Sequence, residues 1–228
     1  MNLNDLNQLI ETKRQEITEW MEKKRAEVPI PIYGSVDVRD AGWKIAVVDA
    51  NHFPAGFNNV APEDEQHLSA LLKNHINRRD EKCRWVHLYP ESHTRNAAYV
   101  ENLKTLQRLI EKAGFRCTVG SPELADHGSL AGISGPLNLD IVSLQMVNDE
   151  ESIVVNGKQP DLILLNNDLT EGIVPGLGTS RVSPPPVMGW HSRKKSHHYE
   201  ALSDYVSEIA ELIGIEPWCL ITDWFVSK

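Results

Sequence analysis

Nothing in the chain approaches the roughly 20 consecutive apolar residues that a bilayer-crossing helix requires, so no membrane-spanning helix is expected. Cysteine is scarce. Cys83, Cys117 and Cys219 are odd in number, far apart and without a CxxC pair, which argues against a zinc knuckle or a redox dithiol and for reduced thiols. Positive charge is in deficit too: a net charge of -9 argues against broad nucleic-acid binding, because Lys and Arg supply most non-specific affinity for phosphate backbones. Any anion must therefore be met by a local cluster. No GxGxxG fingerprint follows the first expected strand, no GxxxxGK[ST] phosphate loop occurs anywhere, and no GxSxG elbow is present, so ordinary nucleotide and hydrolase readings lack support. The opening MNLNDLNQLIETKRQE has no basic segment leading into an apolar one, so it is not a secretory signal and a cytoplasmic protein is expected.

What is present describes an ordinary globular chain. Its 228 residues suffice for one large domain or two small ones with a core that needs no staples, and 41% hydrophobic with 24% charged residues excludes wholesale disorder. Asn4 or Asp5 is placed to cap a first helix carrying Leu6, Leu9, Ile10, Ile17 and Met21 at helical spacing, which ends before Pro29. Residues 1–30 are read as this helical segment, and 31–228 as one α/β domain. The apolar run WKIAVVD (43–49) reads as a buried strand entering a loop. A helix over about 62–79, a strand RWVHLYP from Arg84, a helix over 95–112 closed by Gly114, and a strand FRCTVGS follow. That alternation is the signature of a parallel sheet flanked by helices. DIVSLQMV and SIVVNG around NDEE suggest a hairpin, PDLILLNND a further buried strand, and a last helix turns Leu202, Tyr205, Val206, Ile209 and Ile213 inward.

In open parallel sheets, ligands sit beyond the carboxyl ends of the strands. Three expected strand ends are rich in polar residues. DANHFPAGFNN offers the amides of Asn51, Asn58 and Asn59 beside Gly56, suited to an amino-acid head group or simply to turns. ESHTRN offers Ser92, His93, Arg95 and Asn96 at the start of a helix, where Ser92 or Thr94 is equally placed to be a cap. NNDLTEG contributes Asn167. A fourth stretch, GWHSRKKSHHYE, concentrates Arg193, Lys194 and Lys195 with His191, His197 and His198. The histidines lack carboxylates at matching offsets apart from Glu200 and Asp204, which weighs against a metal site. The cations at the start of a helix oppose its dipole, leaving an anion site or a solvated patch as the two readings.

Taken in order, SVDVRDAGWKIAVVDANHFPAGFNN, ESHTRNAAYVENLKTL, LLNNDLTEGIVPGL, GWHSRKKSHHYEAL and IGIEPW resemble the amino-terminal half of the proteobacterial glutamate-cysteine ligase family of ATP-grasp type. The resemblance spans about residues 31–218. It implies a Rossmann-like pre-ATP-grasp domain, and ATP- and magnesium-dependent joining of the L-glutamate γ-carboxyl to the amine of L-cysteine, the first step of glutathione synthesis. Phosphorylation of the carboxylate and attack by the amine on the acyl phosphate is the implied route. Chains of the family run on beyond IGIEPW, so the resemblance also implies that most of the ATP and magnesium binding belongs to a missing ATP-grasp half, met as a separate partner or within an oligomer. Arg193 and Lys194 are the implied catalytic cations, and Arg39, Asn51, Asn58, Asn59, Ser92, Arg95, Asn96, Asn167 and His191 the implied substrate-binding residues of one cleft. The rival reading is a non-catalytic amino-acid-binding or regulatory domain derived from such a ligase.

Overall fold

The structure is a computed structural model that describes residues 2–222, apart from residues 29, 93, 94, 180 and 193. Two helices open the chain, α1 (Leu3–Thr12) and α2 (Arg14–Glu27), followed by strands β1 (Ser35–Asp40) and β2 (Ile45–Asn51). Then α3 (Glu65–Arg79), β3 (Trp85–Pro90), α4 (Ala97–Lys112) and β4 (Arg116–Val119) alternate. Short strands β5 (Ser129–Gly132) and β6 (Gly135–Asn138), longer β7 (Val142–Val147) and β8 (Glu150–Val155), β9 (Leu162–Asn166), β10 (Val182–Ser183) and the helix α5 (Lys195–Ile213) complete the order. The chain divides into two compact units, the larger comprising Pro31–Tyr33 and His52–Ser192.

The larger unit is built on a four-stranded parallel sheet in the order β10-β9-β3-β4. Strand residues alternate between its faces with the two-residue period of a pleated strand. Leu162 and Leu164 of β9, Val86 and Leu88 of β3, and Cys117 and Val119 of β4 enter one core with Leu72 and Ile76 of α3 and Val100, Leu103, Leu106 and Ile110 of α4. The intervening Ile163, Leu165 and Tyr89 join a second core with Val142, Ile153, Val155, Phe53, Leu169 and Leu177. The buried helix residues thus cover one face, while the β7–β8 hairpin and loops cover the other. The second face also carries a polar chain. Trp85 Nε1–H donates to Thr118 Oγ1 at 2.8 Å, Thr118 lies 2.9 Å from His87 Nδ1, and His87 Nε2 lies 3.0 Å from the Gly120 carbonyl oxygen. A carbonyl cannot donate, so Nε2 carries the His87 proton and Nδ1 accepts from the Thr118 hydroxyl.

Several expectations hold: the helices α3 and α4, Gly114 in a left-handed conformation after α4, the strands β3, β4 and β9, and the β7–β8 hairpin. The hairpin turn is tighter than its sequence suggested, since Asn148 and Asp149 both adopt positive φ, 51° and 64°, the two-residue geometry that matches strand twist. Two expectations need correction, and one interval that carried no assignment folds into strands. WKIAVVD is not a strand of the parallel sheet: β2 pairs antiparallel with β1 across a turn in which Asp40 Oδ1 accepts from Gly42 N at 2.7 Å. The Gly-rich GSLAGISGP interval forms the small β5–β6 hairpin, tied to α4 where Glu101 accepts from the Ser134 amide and hydroxyl. The first helix is two helices that part at Lys13, and its cap is Asn2, which shares a reciprocal capping box with Asp5.

The smaller unit gathers α1, α2, the β1–β2 hairpin and α5 around Leu6, Ile45 and Ile213. Glu208 of α5 accepts from Trp20 Nε1 at 2.9 Å and from Lys24 Nζ at 2.8 Å. Tyr199 donates its hydroxyl proton to the Val48 carbonyl, fixing α5 to β2. On α5 the fully inward positions are Tyr199, Ala210 and Ile213. The expected Leu202, Tyr205, Val206 and Ile209 are half-buried.

Candidate functional site

At the carboxyl end of the parallel sheet the larger unit holds a cavity of about 470 Å³, lined by Ala55, Gly56, Asn58, Asn59, Glu91, Asn96, Ala98, Tyr99 and Asn102. Three of the sequence-predicted residues, Asn58, Asn59 and Asn96, meet here. Each arrives for a local reason. Asn58 and Asn59 ride on a short 3-10 turn entered through Gly56, whose φ of 124° is closed to ordinary side chains. Asn96 caps α4, its Oδ1 accepting from Ala98 N at 3.0 Å. The cap is therefore Asn96 rather than Ser92. Thr94, the other cap candidate, and His93 lie outside the described residues.

Beneath the cavity runs a network of buried amides. Asn102 is fully buried, and its Oδ1 accepts from the backbone N–H of Gly56 at 2.8 Å and of Phe57 at 3.0 Å. Its Nδ2 donates to Asn166 Oδ1 at 3.1 Å, and Asn166 Nδ2 donates to the Pro54 carbonyl at 2.9 Å. One side chain on α4 and one at the end of β9 thus shape the loop that presents Asn58 and Asn59. Tyr99 adds the third strand end: its hydroxyl donates to the Asn166 carbonyl at 2.7 Å and accepts from Glu91 N at 3.0 Å. Burial pushes the Tyr99 phenol well above its ordinary range, so it remains a neutral donor. Glu91 Oε1 accepts from Asp168 N at 2.8 Å, closing the frame. Leu169, next in the chain, holds a positive φ of 52° with its side chain buried, the kind of backbone strain that clusters at functional sites.

The remaining predicted residues are distributed as follows. Ser92 and Arg95 are exposed in the loop between β3 and α4. Asn167 is half-buried and bonds to its own backbone surroundings, donating to the Pro90 carbonyl at 3.1 Å and accepting from Leu169 N at 2.9 Å. His191 Nδ1 donates to the Leu169 carbonyl at 3.2 Å. In the smaller unit Arg39 and Asn51 stand at opposite ends of the β1–β2 hairpin, opposite Ala46 and Ser35 respectively, about 17 Å apart along the strand. They are not neighbours. Lys194 is exposed at the N-cap position of α5, and Lys195 pairs with Asp49 at 3.2 Å. Arg193 lies outside the described residues.

Sequence reasoning missed Glu91, Tyr99, Asn102 and Asn166. Asn102 had a signal, because it falls on the apolar stripe of α4 with Tyr99, Leu103 and Leu106, where a polar residue calls for a partner. The lining offers several carboxamides that both donate and accept, one carboxylate, and the amino-terminal end of a 16-residue helix. Such a set suits a small molecule bearing both an ammonium and a carboxylate. No three His, Cys, Asp or Glu side chains gather into a metal site among the described residues.

The family model for glutamate-cysteine ligase matches residues 7–226. A crystal structure of a Methylobacillus flagellatus KT protein, provisionally named a gamma-glutamylcysteine synthetase, is similar with a TM-score of 0.82 and 32% identity, over 96% of this chain and 52% of its own. The chain spans about half the length of that solved structure. No curated protein matches the chain.

Proposed function

Because the chain belongs to the glutamate-cysteine ligase family, we propose that it serves the ATP-dependent joining of L-glutamate to L-cysteine, and that its own share is to bind and orient the amino-acid substrate. The observation that carries this reading is the amide-lined cavity at the carboxyl ends of β3 and β9, a single preformed frame whose donors, acceptors and one carboxylate match the groups of an amino acid. Asn58 and Asn59 orient the amino-acid groups. Glu91 suits the ammonium, and the amino-terminal turn of α4 with Arg95 suits a carboxylate. Arg193 and Lys194 are the cations of this reading for the developing charge of a transferring phosphoryl group.

A carboxylate is a poor electrophile, and phosphate transfer from ATP is what such a ligase uses to activate it. No three His, Cys, Asp or Glu side chains gather among the described residues and the chain has no GxxxxGK[ST] loop to cradle phosphates, so this reading assigns most of the ATP and magnesium binding to an ATP-grasp half. The Rossmann-like, pre-ATP-grasp character of the parallel-sheet unit and a cytoplasmic location belong to the same reading. Its test is ATP turnover with L-glutamate and L-cysteine, by the chain alone and after addition of a separately expressed ATP-grasp half from a family member. Turnover dependent on both amino acids under either condition is expected. Glutamate binding with no turnover under both conditions would instead favour the non-catalytic binding domain.

A further inference from the structure

A second and larger hollow lies in the same unit, sharing no lining residue with the amide cavity. It measures about 700 Å³ and is lined by Val147, Asn148 and Glu150 to Ser152 at the turn end of the β7–β8 hairpin, by Gln159, and by Ile173 to Gly176 with Gly178, Thr179 and Arg181. Its size falls within the 300–1,000 Å³ typical of small-molecule sites. At this end of the hollow β8 passes from exposed to buried: Glu150 and Glu151 are exposed, whereas Ser152 to Val155 are buried. The crossing segment lies flat on β8 at Gly176, which has φ of 81° and where a Cβ would stand 2.6 Å from the Leu144 side chain and 3.1 Å from the Ile153 nitrogen. Glycine is required there.

Glu150 and Glu151 sit on one wall and Arg181 on the other, yet none of the three is in an ion pair among the described residues, and Arg181 Nη1 makes a long 3.3 Å bond to the Pro160 carbonyl. Ser152 is nearly buried, at 4% exposure, and its hydroxyl has a weak 3.4 Å bond to the Glu150 carbonyl. That bond is long, and a hydroxyl can take a second partner from a ligand group. Gln159 and Thr179 add further hydrogen-bonding groups, while Val147, Ile173, Val174 and Pro175 supply an apolar wall.

Exposed carboxylates on one wall and an exposed guanidinium on the other, with no ion pair between them, match a ligand that carries both charges itself. We infer that this hollow is a second binding site, for a zwitterionic amino acid or short peptide, with its ammonium at Glu150 and Glu151, its carboxylate at Arg181, and a backbone amide or side chain toward Ser152, Gln159 and Thr179. The site is independent of the ligase reading. It stands or falls on its own ligand.

Calorimetric titration of the intact chain with L-alanine, trialanine, N-acetyl-trialanine and trialanine amide tests it. Trialanine is expected to bind, and each blocked peptide, lacking one charge, to bind at least ten-fold more weakly. Glu151→Gln, on the exposed end of β8, is expected to remove the preference for a free amine, and Arg181→Gln the preference for a free carboxylate, with circular dichroism confirming that both variants fold. Binding of L-alanine equal to that of trialanine would identify free amino acids as the ligand class, and binding of trialanine alone would identify peptides. Failure of both to bind, or equal binding of the blocked peptides, overturns the inference.

Discussion

Asn102→Ala is expected to lower the stability of the chain by about 2–4 kcal/mol and to remove amino-acid binding at the cavity, although Asn102 sits at its floor rather than at its mouth. The substitution leaves the Gly56 and Phe57 amide protons without their acceptor and the Asn166 carboxamide without its donor; an unsatisfied group costs about 1–3 kcal/mol when buried, as at Asn166, and less at the half-buried Gly56 and Phe57. Water entering the space recovers part of that, which sets the upper end. The loop carrying Asn58 and Asn59 then loses the two bonds that fix its turn. Asn59→Ala, at an exposed position, is expected to change stability by less than about 0.5 kcal/mol while still weakening binding. Urea unfolding of both variants separates these effects, and hydrogen exchange at Gly56 and Phe57 reads the network directly. Slow exchange in the parent chain should become fast in Asn102→Ala. Unchanged protection would show that the amide relay does not hold the loop.

The second large effect concerns acid. His87 is completely buried, and desolvation is the dominant cause that pushes its pKa from the usual 6.5 down to about 4, against smaller upward effects of the Gly120 bond and the charge of Asp140. Since the folded value is depressed, the unfolded chain takes up the proton first as the pH falls. The stabilisation is fully present above pH 6.5 and is lost progressively between about 6.5 and 4, amounting to about 3 kcal/mol for this one group. Glu101, held at about 2 by the Ser134 amide and hydroxyl, has a separate window: its share is present above the usual 4.5 and disappears as the pH falls toward 2. Urea unfolding at a series of pH values should therefore show a first fall in stability above pH 4, flattened in His87→Gln, and a second below it. An imidazole NMR titration of His87 with a midpoint near 6.5 would contradict this account.

Much of the larger unit could be read from local pattern. Runs such as LILLN, with every residue buried, and the amphipathic stripe of α4 are dictated by burial on two faces and on one, respectively. Pairing was harder to read. WKIAVVD has the composition of a parallel strand, but its partner is set by the preceding SVDVRD, six exposed residues whose alternation carries little hydrophobic signal. The β5–β6 hairpin escaped notice because Gly and Pro in SLAG and GPLN read as loop.

The site was legible in its rim and hidden in its floor. Asn58, Asn59 and Asn96 stand in polar loops, where amides announce themselves as turn formers or ligand groups. Asn102 and Asn166 are single polar residues inside apolar segments, and their roles depend on partners 64 residues apart. Likewise the basic stretch 193–195 looked uniform, yet Lys195 answers Asp49, which lies far away in the sequence, and Lys194 stays exposed. Periodicity says nothing about such pairings, since they are fixed by topology.

The amino-acid cavity is the central claim, and binding of L-glutamate followed by amide NMR of the intact chain tests it most directly. The expected result is saturable shifts at Gly56, Asn58, Asn59 and Ala98, with affinity at least ten-fold lower in Asn59→Ala and in Arg95→Ala, a loss of about 1.4 kcal/mol. Shifts confined to other parts of the chain, or affinity unaltered in both variants, would contradict it.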